Sequence, residues 1–258
     1  MKDEKGGTSP GYGDMVTLFL NVNYGDSVIF DTKVMNGGQP IEVPLMPPTF
    51  NGDWPEGLTR MTAGDSAVFK IPVDTVRKYS GGAELPPFMK NGEKINYVVK
   101  LVSFKSKAQQ QSMAQQQKDV DDQLLQDYFT KNSLTPQKTP SGVYYIIDKP
   151  GSGANAQAGQ AVSVMYTGTL LDGTPFDSNV DPKFGHTEPF NFNVGSGQVI
   201  PGWDEGIMLM NKGAKGRIFI PSTLAYGPQD RPGLPANSVL AFQIEIKDIK
   251  NAEPAPVQ

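Results

Sequence analysis

The segment QVIPGWDEGIMLM, residues 198–210, decides the fold because it combines helical spacing with a tryptophan. Its apolar side chains recur at Trp203, Ile207 and Met210, and this spacing is typical of one face of a helix. Gly213, a few residues further on, is predicted to supply a left-handed C-terminal cap. The segment therefore predicts a short helix that directs an indole ring towards a neighbouring sheet.

The same arrangement occurs upstream in FNGDWPEGLTRMTAG, residues 50–64. Trp54 and Gly57 precede Trp203 and Gly206, respectively, by 149 residues. A second pair of motifs, VIFDT and TPFDS, repeats at an offset of 146 residues. A repeat of this length has the size of a domain. The sequence therefore predicts two copies of one structural unit.

The composition excludes several classes of site. The 258 residues include no cysteine, which excludes disulfides, thiol catalysis and cysteine-ligated metals. The single histidine, His186, excludes a multi-histidine metal site, and its polar loop predicts a solvated side chain. The net charge is −4 and no basic stripe is present, so no nucleic-acid partner is expected. The absence of cysteine and of a second histidine means that no metal is expected, and no other cofactor is expected either.

Both copies end in an alternating apolar pattern, INYVVKLVSF and LAFQIEIKDI, which is typical of strands. A sheet with one short helix against it is an α+β design. Between the copies, a glutamine-rich segment without glycine or proline predicts a connecting helix with Val120, Leu124 and Phe129 on its apolar face. A disordered low-complexity linker is the alternative for its glutamine-rich half.

These patterns divide the chain into five parts. The first ten residues lack the apolar core of a signal peptide and are interpreted as a flexible leader. The predicted parts are a leader (1–10), a first domain (11–105), a helical linker (106–137), a second domain (138–250) and a tail (251–258).

Three successive blocks of the second copy are VMYTGTLLDGTPFDSN, VIPGWDEGIMLMNKGAKGRIFIPSTLAYG and LPANSVLAFQIEIKDI. In order and spacing they closely resemble the FKBP-type peptidyl-prolyl cis–trans isomerases. The resemblance covers about residues 142–250, and the first copy looks like a second, degenerate FKBP domain. Two FKBP-like domains, each an antiparallel sheet wrapped on a short helix, are therefore expected on either side of the helical linker.

The resemblance implies an aromatic pocket that isomerises X-Pro bonds by desolvation and hydrogen bonding, with Trp203 as its floor. Asp177 would accept a hydrogen bond from Tyr166 at the rim. The implied catalytic residues are Tyr166, Phe176, Asp177, Tyr226 and Phe242, and the implied substrate-binding residues are Phe190, Val199, Ile200, Trp203 and Leu234.

The first copy keeps Phe30, Asp31 and Trp54 but has Leu20 at the position of Tyr166. An intact fold with an altered pocket predicts a domain used for binding, dimerisation or spacing rather than for catalysis.

The resemblance also implies partners and a location. The expected partners are unfolded or proline-containing proteins and macrolide inhibitors of the family, with a homodimer through the first domain or the linker left open. The arrangement is similar to bacterial FKBPs that are exported to the periplasm or anchored in the outer membrane, and a cytoplasmic location is the alternative. A non-enzymatic chaperone or scaffold that uses both domains to bind peptides is the alternative function.

Overall fold

A computed structural model describes residues 7–81 and 84–251. The chain forms two compact units that divide between Ser112 and Met113. Residues 1–6 of the predicted leader and 252–258 of the predicted tail lie outside the described residues, whereas Pro10 is buried. We refer below to the N-terminal and the C-terminal unit.

The N-terminal unit is built on an antiparallel sheet with the strand order β2-β1-β5-β4, to which β3 adds by pairing with β1. Its core lies between this sheet and the short helix α2, where Leu18, Leu58 and Val99 are fully buried. The elements are β1 (Met15–Tyr24), β2 (Ser27–Asp31), α1 (Thr32–Met35), β3 (Ile41–Pro44), α2 (Trp54–Leu58), β4 (Ser66–Pro72), α3 (Val73–Tyr79) and β5 (Lys94–Lys105).

The C-terminal unit has a larger antiparallel sheet in the order β10-β9-β14-β13-β7-β6, with β11 paired to β9 and a separate β8-β12 pair. Helix α4 (Lys107–Lys131) precedes its strands. The remaining elements are β6 (Gln137–Lys138), β7 (Tyr144–Lys149), β8 (Ser152–Asn155), β9 (Ala161–Leu170), β10 (Pro175–Ser178), β11 (Phe190–Asn193), α5 (Pro201–Ile207), β12 (Asn211–Lys212), β13 (Lys215–Ile220) and β14 (Leu240–Lys250).

The two units share one topology. The order β2-β1-β5-β4 in the first corresponds strand for strand to β10-β9-β14-β13 in the second, and β3 and β11 occupy equivalent places. In chain order α2 lies between β3 and β4, and α5 lies between their counterparts β11 and β13, with only the two-residue strand β12 added before β13. The α+β fold expected from the sequence is confirmed, with two units of the same antiparallel design.

The repeated glycine of the two helices has a steric role. A Cβ on Gly206 would lie 3.0 Å from Ile218 Cδ1 on β13, and a Cβ on Gly57 would lie 1.9 Å from Phe69 Cε1 on β4. A larger residue would displace the Phe69 ring in the N-terminal unit and would crowd Ile218 in the C-terminal unit, so glycine suits the close approach of helix and strand. The helix axis is therefore fixed against the sheet in both units, and in the C-terminal unit this places Trp203 in the core.

The prediction that Gly213 caps the helix is wrong. Helix α5 ends at Ile207, and Met208 is its C-terminal cap. Gly213 does have a left-handed conformation, with φ of +84°, but it serves the turn between β12 and β13. The positive φ of Gly213 lets the chain turn before β13 begins at Lys215, and it plays no part in ending the helix.

The predicted apolar face of the connecting helix also needs correction. Val120 and Leu124 are exposed, whereas Leu125 and Phe129 are buried, together with the carboxylate of Asp121. These three buried residues follow each other at intervals of four, which places them on one face of α4. The sequence pattern was misleading because the first buried position on this face carries a charged residue.

No helix in the described ranges has the combined length and apolar character that crossing a bilayer requires.

Candidate active site

A cavity of about 260 Å³ opens on the C-terminal unit where β9, β10, β11, α5 and β14 converge. Polar and apolar groups share its walls, which is typical of a ligand site. Its lining residues are Tyr166, Phe176, Asp177, Phe190, Gln198, Val199, Ile200, Trp203, Tyr226 and Phe242.

Trp203 is the centre of the aromatic walls. Its ring centroid lies 4.9 Å from that of Tyr166 and 5.2 Å from that of Phe242, both in edge-to-face geometry. Phe176 in turn packs edge-to-face on Phe242 at 5.6 Å. Such contacts fix ring orientations beyond what burial alone would do. The result is a preformed apolar floor.

A glycine on β9 makes room for this cluster. A Cβ on Gly168 would come within 2.6 Å of Phe176 Cζ and 2.8 Å of Phe242 Cε1. Both rings therefore lie over the backbone of β9 at a position where any other residue would displace them.

The polar edge of the cavity is organised by a tyrosine and an aspartate. The Tyr166 hydroxyl donates a hydrogen bond to Asp177 Oδ2 at 2.6 Å. Burial, reinforced by this bond to a carboxylate, raises the pKa of the Tyr166 hydroxyl above its ordinary value. Tyr166 is therefore a neutral donor at physiological pH, and the carboxylate keeps it in place.

Tyr226 presents a second hydroxyl to the cavity. Burial raises its pKa, so that this group also keeps its proton at neutral pH. Among the described residues this hydroxyl has no hydrogen-bond partner, while the Arg231 guanidinium lies over the ring with its Cζ 4.5 Å from the centroid. The cation packs on the ring face and leaves the hydroxyl free for a ligand.

Nine of the ten residues predicted for the pocket line this cavity, and Leu234 does not. Leu234 is buried in the adjoining core, where its backbone exchanges hydrogen bonds with Arg231. Gln198 lines the cavity and was not predicted. Its amide oxygen accepts a hydrogen bond from the backbone of Asn193 at the end of β11 at 2.8 Å, a contact that no spacing in the sequence indicates.

His186 is solvent-exposed, as its polar loop predicted, and it also contacts the aspartate at the edge of the cavity. Its Nε2 lies 3.2 Å from Asp177 Oδ1, and its Nδ1 lies 3.1 Å from the Phe184 carbonyl oxygen. The loop between β10 and β11 folds back and brings the ring to the edge of the cavity. Only the path of this loop reveals the contact, because the two partners are nine positions apart in the sequence.

A wider depression of about 510 Å³ on the same unit is a weaker candidate site. Its walls carry Arg217 and Lys215, which pair with Asp148 and Glu245 at 2.7 Å and 3.0 Å. These charges already neutralise each other, so they offer little to an incoming ligand.

In the N-terminal unit the corresponding residues are differently engaged. The Asp31 carboxylate accepts hydrogen bonds from the Asn21 side chain at 2.9 Å and from the Lys33 backbone at 2.8 Å. Leu20, in place of a tyrosine, has no hydroxyl to offer it. Trp54 stacks on Tyr97 with the ring centroids 6.2 Å apart. The polar pair that organises the edge of the C-terminal cavity is thus missing here.

Comparison with known proteins agrees with this geometry. The family model described as FKBP-type peptidyl-prolyl cis-trans isomerase matches residues 153–247. FkpA of Aeromonas hydrophila is 41% identical over 148 residues, which are 57% of this chain and 51% of that protein. FkpA of Escherichia coli K12 is 33% identical over 160 residues, covering 60% and 56% of the two chains.

FK506-binding protein 1 of Saccharomyces cerevisiae is 48% identical over 99 residues, which are 38% of this chain and 83% of that protein. The crystal structure of FkpA from Escherichia coli superposes with a TM-score of 0.46 at 32% identity, covering 57% of this chain and 67% of that one. The chain spans about half the length of the FkpA relatives. From the family model and the yeast relative we conclude that this chain belongs to the FKBP-type peptidyl-prolyl cis–trans isomerases.

Proposed function

We propose that the C-terminal unit isomerises X-Pro bonds in unfolded or partly folded proteins. The observation that carries this proposal is the aromatic cavity with Trp203 as its floor and the free Tyr226 hydroxyl at its wall. The aromatic cavity can bind a proline ring, and the Tyr226 hydroxyl can donate a hydrogen bond to the carbonyl oxygen of the residue before the proline.

The chemistry needs no nucleophile. Rotation about an X-Pro bond crosses a barrier of about 18–20 kcal/mol that arises mostly from amide resonance. Resonance separates charge, so the planar imide is stabilised by water more than the twisted transition state is. Transfer into an apolar cavity therefore favours the twisted form. An acceleration of about ten thousand requires roughly 5–6 kcal/mol of differential stabilisation, which desolvation and one or two hydrogen bonds can supply.

The polar groups have separate roles in this proposal. Tyr226 donates to the substrate carbonyl, since its hydroxyl is protonated and unpaired among the described residues. Asp177 does not exchange protons with the substrate; it holds the Tyr166 ring by accepting a hydrogen bond from its hydroxyl. Phe176 and Phe242 exclude water from the imide.

Macrolides of the FK506 type are proposed to occupy the same cavity. The names of the fungal relatives describe them as FK506-binding proteins, and the yeast relative aligns over 83% of its length. A ligand in this cavity would stack on Trp203 and compete with prolyl peptides.

The N-terminal unit is proposed to bind clients or a second copy of the chain rather than to catalyse. Large apolar side chains are exposed on it, including Val28, Val34, Met35 and Phe88. We place the protein in the envelope of a bacterium, exported or anchored, and the bacterial source of the FkpA relatives supports this location. A purely non-enzymatic chaperone is the alternative.

An isomerisation assay on a proline-containing tetrapeptide tests the proposal with the purified full chain. We expect acceleration that is lost in Trp203→Leu and kept in the matched variant Trp54→Leu. If the unaltered chain leaves the rate at its spontaneous value, the isomerase proposal is wrong and the non-enzymatic alternative replaces it.

A further inference from the structure

A fully buried carboxylate on α4 holds the turn that leads to Tyr226. Asp121 is 0% exposed, and its Oδ2 accepts both the backbone N–H and the hydroxyl of Ser222 at 2.7 Å. Its other oxygen accepts the Gln117 side-chain amide at 2.8 Å. With three donors the carboxylate is well satisfied, as a buried charge must be.

Ser222 connects Asp121 to the residues on either side of Tyr226. It begins a short 3-10 turn, Ser222–Leu224, and its carbonyl oxygen accepts the N–H groups of Ala225 and Gly227, both at 3.0 Å. These two residues flank Tyr226 on either side. Asp121 therefore fixes the one residue whose carbonyl oxygen binds both neighbours of the tyrosine.

The rest of the buried face of α4 is fixed to the same sheet. Phe129 packs edge-to-face on Phe219 of β13, with centroids 4.9 Å apart, and contacts Tyr144 of β7 at 5.0 Å. The Tyr144 hydroxyl also donates to Asp122 on α4 at 2.6 Å. These contacts fix α4, and with it Asp121, against the sheet of the C-terminal unit. The helix is therefore part of the packing of this unit as well as a connection between the two units.

We propose that Asp121 is a positioning residue for the isomerase reaction, acting on Tyr226 through Ser222. This inference rests on the proposed function, in which Tyr226 donates to the substrate carbonyl. Without Asp121, the turn after β13 loses its anchor and the tyrosine hydroxyl occupies its catalytic position for a smaller fraction of the time. Binding of the proline ring by Trp203 is unaffected, so the loss falls on kcat rather than on KM.

The test compares variants of the full chain by kcat and KM on a tetrapeptide. Asp121→Ala is expected to lower kcat by about tenfold, as removal of one buried hydrogen-bonding partner commonly does. Asp121→Asn keeps an acceptor oxygen for Ser222 and should restore most of the rate. The matched control is Asp127→Ala, since Asp127 on the same helix accepts a glutamine side chain four residues earlier but is exposed.

Two further arms separate positioning from general destabilisation. In a Tyr226→Phe background, Asp121→Ala should lower kcat little further, because the hydroxyl that it positions is already absent. An equal fold-decrease of kcat on Asp121→Ala in both backgrounds would overturn the proposal. Should Asp121→Ala fail to fold, Ser222→Ala, which removes one of the two hydrogen bonds, should still lower kcat about threefold, and an unchanged kcat would overturn the proposal as well.

Amide hydrogen exchange provides an arm that does not depend on activity. Asp121→Ala, or Ser222→Ala if the former does not fold, should speed exchange at Gly227 relative to Asp127→Ala, and unchanged exchange there would overturn the proposal. Absence of isomerase activity in the unaltered chain, with faster exchange in the variant, would refute the proposed function and leave the anchoring of the turn established.

Discussion

His186 and Asp177 form a close pair at the edge of the cavity, with Nε2 and Oδ1 3.2 Å apart. The second ring nitrogen of His186 faces the Phe184 carbonyl oxygen at 3.1 Å. The ring therefore connects the loop that carries it, between β10 and β11, to the carboxylate that holds the Tyr166 hydroxyl.

This pair predicts a contribution of His186 to the affinity for substrate. Without the imidazole, the loop between β10 and β11 loses its contact with Asp177 at the edge of the cavity. In His186→Asn we expect the KM for a prolyl peptide to rise about two- to threefold, as loss of a weak exposed polar contact allows. A KM equal to that of the unaltered chain would contradict a role for this pair in binding.

Disrupting the bond between Tyr166 and Asp177 should reduce activity in one unit only. Asp177→Leu leaves the Tyr166 hydroxyl without its partner, so kcat/KM should fall by about tenfold or more. The matched change Asp31→Leu, in the N-terminal unit, should leave the tetrapeptide rate unchanged. Equal losses from both changes would show that the N-terminal unit is also catalytic.

FK506 should bind one site per chain. Calorimetry with the full chain is expected to report a stoichiometry of one, and Trp203→Leu should abolish the binding. Since a ligand stabilises only the state that binds it, the melting of the C-terminal unit alone should shift to higher temperature. Two equivalent sites would contradict the assignment of a single competent cavity.

Removal of a side chain from the buried face of α4 should destabilise the C-terminal unit. Phe129→Ala is expected to lower the free energy of unfolding by about 3–5 kcal/mol, because it leaves a cavity against Phe219 and Tyr144. Leu124 lies on the exposed face of the same helix, so Leu124→Ala should change the free energy of unfolding by no more than about 0.5 kcal/mol. Denaturant titration of both variants measures the difference.

The client-binding role proposed for the N-terminal unit predicts a split between two assays. A shortened chain that starts at Lys107 keeps α4 but lacks the N-terminal sheet. It should isomerise a tetrapeptide as fast as the full chain, yet catalyse refolding of a proline-limited protein more slowly, because it no longer raises the local concentration of the client. Equal refolding rates would leave dimerisation as the better role for that unit.

Sequence reasoning was strongest where a motif and its packing role coincide. Trp203 follows a proline and precedes a glycine, and the short helix that directs its indole at the sheet could be predicted from that pattern. The aromatic floor was implied only by the resemblance to the FKBP family. Periodicity misplaced the buried face of α4, because it scores Asp121 as polar and therefore exposed. Two of the three donors that satisfy this buried carboxylate lie about one hundred residues away, on Ser222, so no local pattern reveals them.

Contacts made by long loops were beyond the reach of spacing rules. His186 meets Asp177, and Gln198 meets the backbone of Asn193, only because the intervening loops fold back on themselves. Leu234 is absent from the cavity lining but is buried in the same hydrophobic cluster as Trp203, so its role in substrate binding stays a prediction.

The glycines that bring α2 and α5 against their strands show which features the duplication has kept. Gly57 and Gly206 meet the same steric demand in both copies, although the residues at the cavity positions have diverged. The scaffold and the ligand-contacting side chains have thus evolved under separate constraints. The N-terminal unit, for which we propose no catalytic role, provides a frame of the same topology into which a protein engineer could transplant the aromatic residues of the C-terminal cavity.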